Sequence, residues 1–193
     1  MNSLVRSFRV VLVLGIVTGV LYPAFNLFLA RTIFPQSANL EILKKSDVVV
    51  GAKWVGQKFQ SEKYFWGRPS ASDYNSYPSS ASNLGPTAAG LKAEIQNRTR
   101  VIHDAHPTKS AEDIPLDLLT SSASGLDPDI SLEAAIFQVD RIVRSRKLNS
   151  EQEWKLNQIL SDLTQKPIFG LMGTTRVNVL ELNLALDSLT EKK

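Results

Sequence analysis

The chain contains no cysteine, only two histidines and, between Arg9 and Arg31, no charged residue at all. Without cysteine there are no disulfides, thiolate metal sites, cysteine nucleophiles or lipidated N-terminal cysteine. Acidic residues are missing from the first 31 positions, where Arg6, Arg9 and Arg31 account for the formal charge of +3. From Thr32 onward 19 basic residues balance 19 acidic ones. That balance argues against a nucleic-acid surface, which needs a concentrated basic face. The unbalanced arginines instead bracket an apolar run, as charges bracket a membrane helix.

What is present between those arginines is a stretch of 21 uncharged residues, Val10 to Ala30, thirteen of them Leu, Ile, Val or Phe. At about 1.5 Å per residue it reaches roughly 32 Å, enough for a hydrocarbon core of about 30 Å. It is too long for a signal-peptide core, and Phe28-Leu29-Ala30 lacks a small-x-small cleavage site. The spacing of Gly15, Gly19, Tyr22 and Asn26 puts them on one helical face, with Gly15 and Gly19 forming a G-x-x-x-G pair for close helix approach. Pro23 frees the carbonyl of Gly19, and Asn26 favours a polar partner over lipid. This stripe is the first candidate partner-binding surface. Arg6 and Arg9 on the short tail orient the N-terminus inward. The expected organisation is a cytoplasmic tail (residues 1–9), a transmembrane helix (10–30) and an extracytoplasmic α/β (α+β) domain (31–193).

In that domain, Val48 to Val50 and Lys53 to Phe59 have strand composition. The proline- and serine-rich stretch from Arg68 to Pro86 reads as an ordered loop pinned by nearby aromatics. Helices are expected over Thr87 to His106, from Ser131 as N-cap to about Lys147, and from a Ser150/Glu153 capping box to Pro167. The second carries an apolar stripe of Leu132, Ala135, Ile136, Val139, Ile142 and Val143. Val177 to Leu189 reads as strand early and helix late.

The search for chemistry yields little. Gly51 to Lys58 misses the phosphate-loop pattern, because Gln57 takes the lysine slot and Lys58 the hydroxyl slot. His103 and His106 flank Asp104 near a helix end, where solvated capping is the ordinary role of such histidines and metal ligation the exceptional one. Asp127 and Asp129 precede a helix whose N-terminus they would complement. Thr120 to Ser131 is a hydroxyl-rich loop entering a helix, suited to a structural turn or to anion contacts from backbone N–H groups. Tyr64, Trp66 and Arg68 have the composition of an interface, or of a domain core with one satisfied arginine.

Four separated blocks also carry a family resemblance: Thr18-Gly19-Val20-Leu21-Tyr22-Pro23, Tyr64-Phe65-Trp66-Gly67-Arg68-Pro69-Ser70-Ala71, Thr120 to Ser131, and Val177 to Asp187. Ser82-Asn83-Leu84-Gly85-Pro86 fits as well. With these blocks in order over nearly its whole length, the chain resembles the KdpC family, whose members are subunits of the bacterial potassium-transporting P-type ATPase. The sequence departs from the family pattern at Ser80-Ala81, where a glycine pair is common, and at Thr175, usually proline.

The resemblance implies an accessory, non-catalytic subunit of a potassium importer in the bacterial inner membrane. Its implied partners are a channel-like potassium-binding subunit, a P-type ATPase subunit and a small single-helix subunit. The family has also been proposed to act as a catalytic chaperone that raises the ATP affinity of the ATPase subunit. The corresponding nucleotide contacts here would be Ser122, Ser124, Gly125, Asp127 and Gln138, although Gln138 at the flank of its helix's apolar stripe equally suits a buried packing or capping role. No metal and no cofactor of the chain's own is expected, ATP being reached through the ATPase subunit. The competing reading is a membrane-anchored extracytoplasmic hydrolase, which would need His103 or His106 beside Asp127 or a serine.

Overall fold

The computed structural model describes residues 3–190; the first two residues of the expected tail and the last three of the expected domain lie outside them. The N-terminal segment is one uninterrupted helical rod, Ser3–Ile33. It comprises α1 (Ser3–Ile16), a wide π-turn (Val17–Leu21) and α2 (Tyr22–Ile33). At about 1.5 Å per residue its 31 residues span roughly 46 Å, longer than the hydrocarbon core. The π-turn lies where Pro23 withholds its N–H from Gly19, and Tyr22 N–H bonds back five residues to Val17 O. A wide turn accommodates about one extra residue, so the phase between Gly15 and Asn26 departs from an ideal single stripe.

After a one-turn helix α3 (Pro35–Ala38), β1 (Ile42–Lys45) and β2 (Val48–Ala52) form an antiparallel hairpin. Ser46 and Asp47 both take positive φ, as a two-residue hairpin turn requires. The expected strand at Lys53 to Phe59 is instead turn and irregular chain. It is diverted by tertiary bonds: Gly56 N–H reaches Leu126 O at 2.8 Å, and Lys53 O accepts from Asn178 at 2.8 Å.

The rest of the domain is mostly helical: α4 (Ala89–Ala105), α5 (Leu116–Leu119), α6 (Leu132–Arg146), α7 (Ser150–Leu163) and α8 (Val179–Thr190). A second small antiparallel sheet pairs β3 (Asp129–Ser131) with β4 (Arg176–Asn178) directly before α6 and α8. Each strand thus runs straight into a helix. Ser131 Oγ accepts from Ala134 N–H at 3.0 Å, the expected N-cap. The capping box of α7 is Asn149 with Gln152, one residue earlier than Ser150 with Glu153, because Asn149 holds the extended backbone that an N-cap needs. That helix ends at Leu163, before Pro167 is reached.

Helix α6 is central and is buried on more than one side. Ala134, Ala135, Val139 and Ile142 enter a core shared with Phe65, Ile102, Leu118, Leu156, Val177, Leu182 and Leu186. Of the expected stripe Ile136 turns outward, 56% exposed, while Gln138 and Arg141 point inward with no exposed surface. Burying a residue such as Phe65 contributes about 1.5–3 kcal/mol.

Candidate interaction site

Residues 64–68, Tyr-Phe-Trp-Gly-Arg, run through the middle of the domain and are held by α8, by α6 and by the loop that carries Asp127. Phe65 is fully buried, and its N–H and C=O pair with the Asn183 side chain on α8 at 2.8 and 3.0 Å. Trp66 pairs the same way with Gln138 on α6: its N–H donates to Oε1 at 2.8 Å and its C=O accepts from Nε2 at 3.1 Å. Two amide side chains therefore replace the neighbouring strands that this segment lacks, satisfying its backbone in the interior.

The flanking residues complete the grip. Tyr64 OH donates to Asp187 at 3.2 Å under the Arg146 guanidinium, which itself bonds Asp187 at 2.7 Å. Arg68 pairs with Asp127 at 3.0 Å, both half-buried, while the buried Nε of Arg68 has no hydrogen-bond partner. Tyr74 OH donates to Arg68 O; burial, reinforced by Asp73 and Asp127, pushes its pKa up to about 12. The three aromatic-block residues expected at a partner surface, Tyr64, Trp66 and Arg68, are thus tied into the fold and only partly open to solvent.

Beneath Trp66 lies a fully buried cation, which composition alone does not foretell. Arg141 stacks its guanidinium 4.1 Å from the centre of the Trp66 ring. It donates to Glu62 O, to Tyr64 O at 2.9 Å, to Gln138 Oε1 at 2.7 Å and to His106 Nε2 at 3.1 Å. Burial lowers its pKa to about 10, so it stays charged at neutral pH, with carbonyls and a ring nitrogen in place of a carboxylate.

His106 is correspondingly buried and neutral, not a solvated cap: Nδ1 bonds Ile102 O at 2.7 Å and Nε2 accepts from Arg141. Burial, with Arg141 and Arg144 adding to it, pushes its pKa below the usual histidine range. His103 on the same helix is exposed. The two imidazoles face different surroundings, and neither nitrogen of His106 meets Asp127 or a serine.

The hydroxyl-rich loop is a packed turn. Ser122 is buried with its N–H on Pro69 O at 2.9 Å, and Arg98 bonds Ser121 Oγ at 2.9 Å. Gly125 has φ of +71°, and a Cβ there would stand 2.6 Å from Ser72 Oγ and 3.0 Å from Ser80 O. Gly56, from the phosphate-loop near miss, is there because the Asp127 backbone leans on it at 2.5 Å from where a Cβ would be. Ser124 is exposed and accepts from Leu126 N–H at 3.1 Å. Asp127 and Asp129 bond to groups other than the N–H groups of the helix they precede. Asp127 bonds Arg68 and the Asp129 N–H, whereas Asp129 pairs with Arg176 at 3.0 Å and accepts from Asn178.

These pairings open an acidic-and-basic cavity of about 540 Å³ lined by Arg68, Asp117, Asp127, Asp129, Glu133 and Arg176 among others. Ser122, Gly125 and Asp127 are brought together around the Arg68 end of the 64–68 segment. Gln138 lies at the Trp66 step of the same segment, its amide fully engaged, and does not line that cavity.

On the membrane helix, apart from the helix's own neighbouring backbone, nothing among the described residues comes within 4 Å of a Cβ built at Gly15 or Gly19. Asn26 returns its amide to Tyr22 O at 2.8 Å, so one of its polar groups is already satisfied within the helix.

Comparison with known proteins resolves what this arrangement belongs to. Residues 4–188 match the family model of the K+-transporting ATPase c chain, KdpC. The chain belongs to the KdpC family. It is 42% identical over 191 residues to the potassium-transporting ATPase KdpC subunit of Polynucleobacter asymbioticus, covering 97% of this chain and 99% of that one. It is 43% identical over 192 residues, 97% of each chain, to the KdpC subunits of Burkholderia mallei and Burkholderia pseudomallei. The KdpC match spans anchor and domain together, so both parts are family features.

Proposed function

We propose that the chain is an accessory, non-catalytic subunit of an ATP-driven potassium import complex. In this reading it is anchored by residues 10–30 with its domain outside the cytoplasmic membrane. The single observation that carries the proposal is the family match from the membrane helix to the last helix of the domain. The relatives it resembles are named as potassium-transporting ATPase subunits. The side chains support the non-catalytic part: Gln138, Arg141, Asn183 and Asp127 hold residues 64–68, and His106 holds Arg141.

The partners of this reading are the channel-like potassium-binding subunit, the P-type ATPase subunit and the small single-helix subunit. The bare glycine face of the helix and its polar Asn26 offer contact to a neighbouring membrane helix. An influence on ATP affinity, in this account, is exerted through the assembled complex and not through nucleotide held by Ser122, Ser124, Gly125, Asp127 and Gln138. Nucleotide is scarce outside the cell, and Gln138 has no free amide group to offer it.

A single cysteine tests the topology, since the chain has none of its own. Ser124→Cys, at an exposed loop position, should react with a membrane-impermeant maleimide in intact spheroplasts. Reaction only after lysis would place the domain inside and reopen direct nucleotide binding.

A further inference from the structure

Between α7 and β4 the chain makes a turn whose side chains leave the domain. Gln165 and Arg176 close its stem through two backbone hydrogen bonds of 2.9 and 3.1 Å, and Ile168 and Met172 pair above them at 2.8 and 3.0 Å. Positive φ at Phe169 (54°) and Gly170 (71°) folds the tip. The turn is therefore built by its own backbone. Even so, Ile168, Phe169, Leu171 and Met172 are 63, 91, 88 and 68% exposed. Between Asp162 and Glu181 there is no acid, while Lys166 and Arg176 stand at the stem. Arg176 is paired with Asp129 at 3.0 Å, which leaves exposed Lys166 as the base of the stem. Four large apolar side chains held in water beside a lysine have the composition of an interfacial lipid anchor.

The position of the turn in the fold names the surface. Two residues beyond Arg176, Asn178 donates to Lys53 O at 2.8 Å, and Lys53 Nζ contacts Glu41 at 3.1 Å and Glu181 at 3.0 Å. Through Asn178 and Lys53 the strand that carries the stem is thus linked to Glu41, where the chain enters the domain from the membrane helix. From Ile33 to Glu41 there are eight residue steps, four of them helical, which span at most about 20 Å. Glu41 is held within that reach of the end of the membrane helix, and Lys53 with β4, from which the turn projects, is tied to it.

We propose that the Ile168–Met172 turn inserts its apolar tip into the headgroup–acyl boundary of the leaflet from which the helix emerges, a second attachment of the domain to the membrane. This rests on the membrane-anchored reading of Ser3–Ile33 and goes beyond it. Lys166, exposed at the stem, faces the phosphates of anionic lipids, and the two attachments fix the attitude of the domain over the membrane.

The test uses the full chain in vesicles of mixed zwitterionic and anionic phospholipid, with a polarity-sensitive fluorophore on Leu171→Cys. Val13→Cys in the span and Thr108→Cys on the exposed surface are the references. The label at 171 should be blue-shifted, shielded from aqueous iodide, and quenched by nitroxide lipids labelled near the headgroup. Shielding should be lost when Phe169 and Met172 are also changed to Ser. If the label at 171 behaves as the one at 108 while the one at 13 is quenched deep in the bilayer, the turn proposal fails and the anchor stands. An aqueous label at 13 overturns the anchor itself. Shielding at 171 that arises only when the partner subunits are co-assembled assigns the turn to a protein groove and overturns lipid insertion.

Discussion

Gln138 and Trp66, 72 residues apart, are hydrogen-bonded as two paired strands would be: one amide side chain accepts the Trp66 N–H and donates to the Trp66 C=O, at 2.8 and 3.1 Å. Asn183 repeats the device one residue earlier, at Phe65. The consequence is mechanical. The central segment of the domain is buried without a sheet around it, and its alignment depends on two amides and one arginine.

Gln138→Ala removes a donor and an acceptor from buried backbone groups and leaves Arg141 short of one partner. The expected cost is about 2–4 kcal/mol. Urea unfolding of the detergent-solubilised chain, followed by tryptophan fluorescence, measures it. Complexes that retain the variant should show an unchanged KM for ATP, since the loss is one of fold. A selective rise in KM without loss of stability would return Gln138 to a nucleotide role.

His106 gives the domain a pH dependence of defined sign. Its pKa is lowered in the folded chain, chiefly by burial, below an unfolded value of about 6.5. The unfolded state therefore binds the proton more readily. Stability is complete above pH of about 6.5 and is lost as pH falls from there through the folded value. Thermal melts between pH 8 and 5 should show this decline. His106→Gln, which keeps a donor and an acceptor but cannot titrate, should be less stable at pH 8 yet flatter across the window. An equally steep decline in that variant would assign the dependence to other groups.

Gly125→Ala places a side chain on a left-handed backbone and against Ser72 and Ser80. The conformational term alone is about 1–2 kcal/mol, and the contacts add to it. Ser124→Ala, at the exposed neighbouring position, should change stability by less than about 0.5 kcal/mol. Paired denaturation curves decide the matter; similar losses for both would mean that the loop is not packed as described.

Gly19→Leu probes the membrane face. The chain itself leaves room for the side chain, and replacing glycine raises helix propensity. Insertion and domain stability should be unaffected, while yield of the assembled complex in a tag pull-down falls several-fold. Full assembly of the Gly19→Leu variant would show that the partner helix approaches elsewhere.

Much of this architecture is legible in the sequence, and the parts that are not share a cause. The anchor follows from 21 uncharged residues, and α6 from its periodic apolar residues. The strand-then-helix character of Val177 to Leu189 was readable as ambiguity and is resolved as β4 followed by α8. Gln138, at the flank of the apolar stripe, was open to a buried packing role; hidden were its partner and the burial of Arg141, His106 and Asn183, because polar residues ordinarily mark the outside of a helix and their partners lie tens of residues away. The stretch Lys53 to Phe59 misled for the same reason: strand-like composition was overridden by hydrogen bonds to Leu126 and Asn178. In Ile42 to Lys45 two bases follow two apolar residues, which conceals the alternation of β1.

The most direct measurement is potassium-stimulated ATP hydrolysis by the affinity-purified complex from cells that carry or lack this chain. The account predicts that without it the remaining subunits fail to co-purify in stoichiometric amounts and lose potassium-stimulated hydrolysis, and that the full chain restores both. An intact complex hydrolysing ATP in response to potassium at the normal rate in its absence would contradict the account.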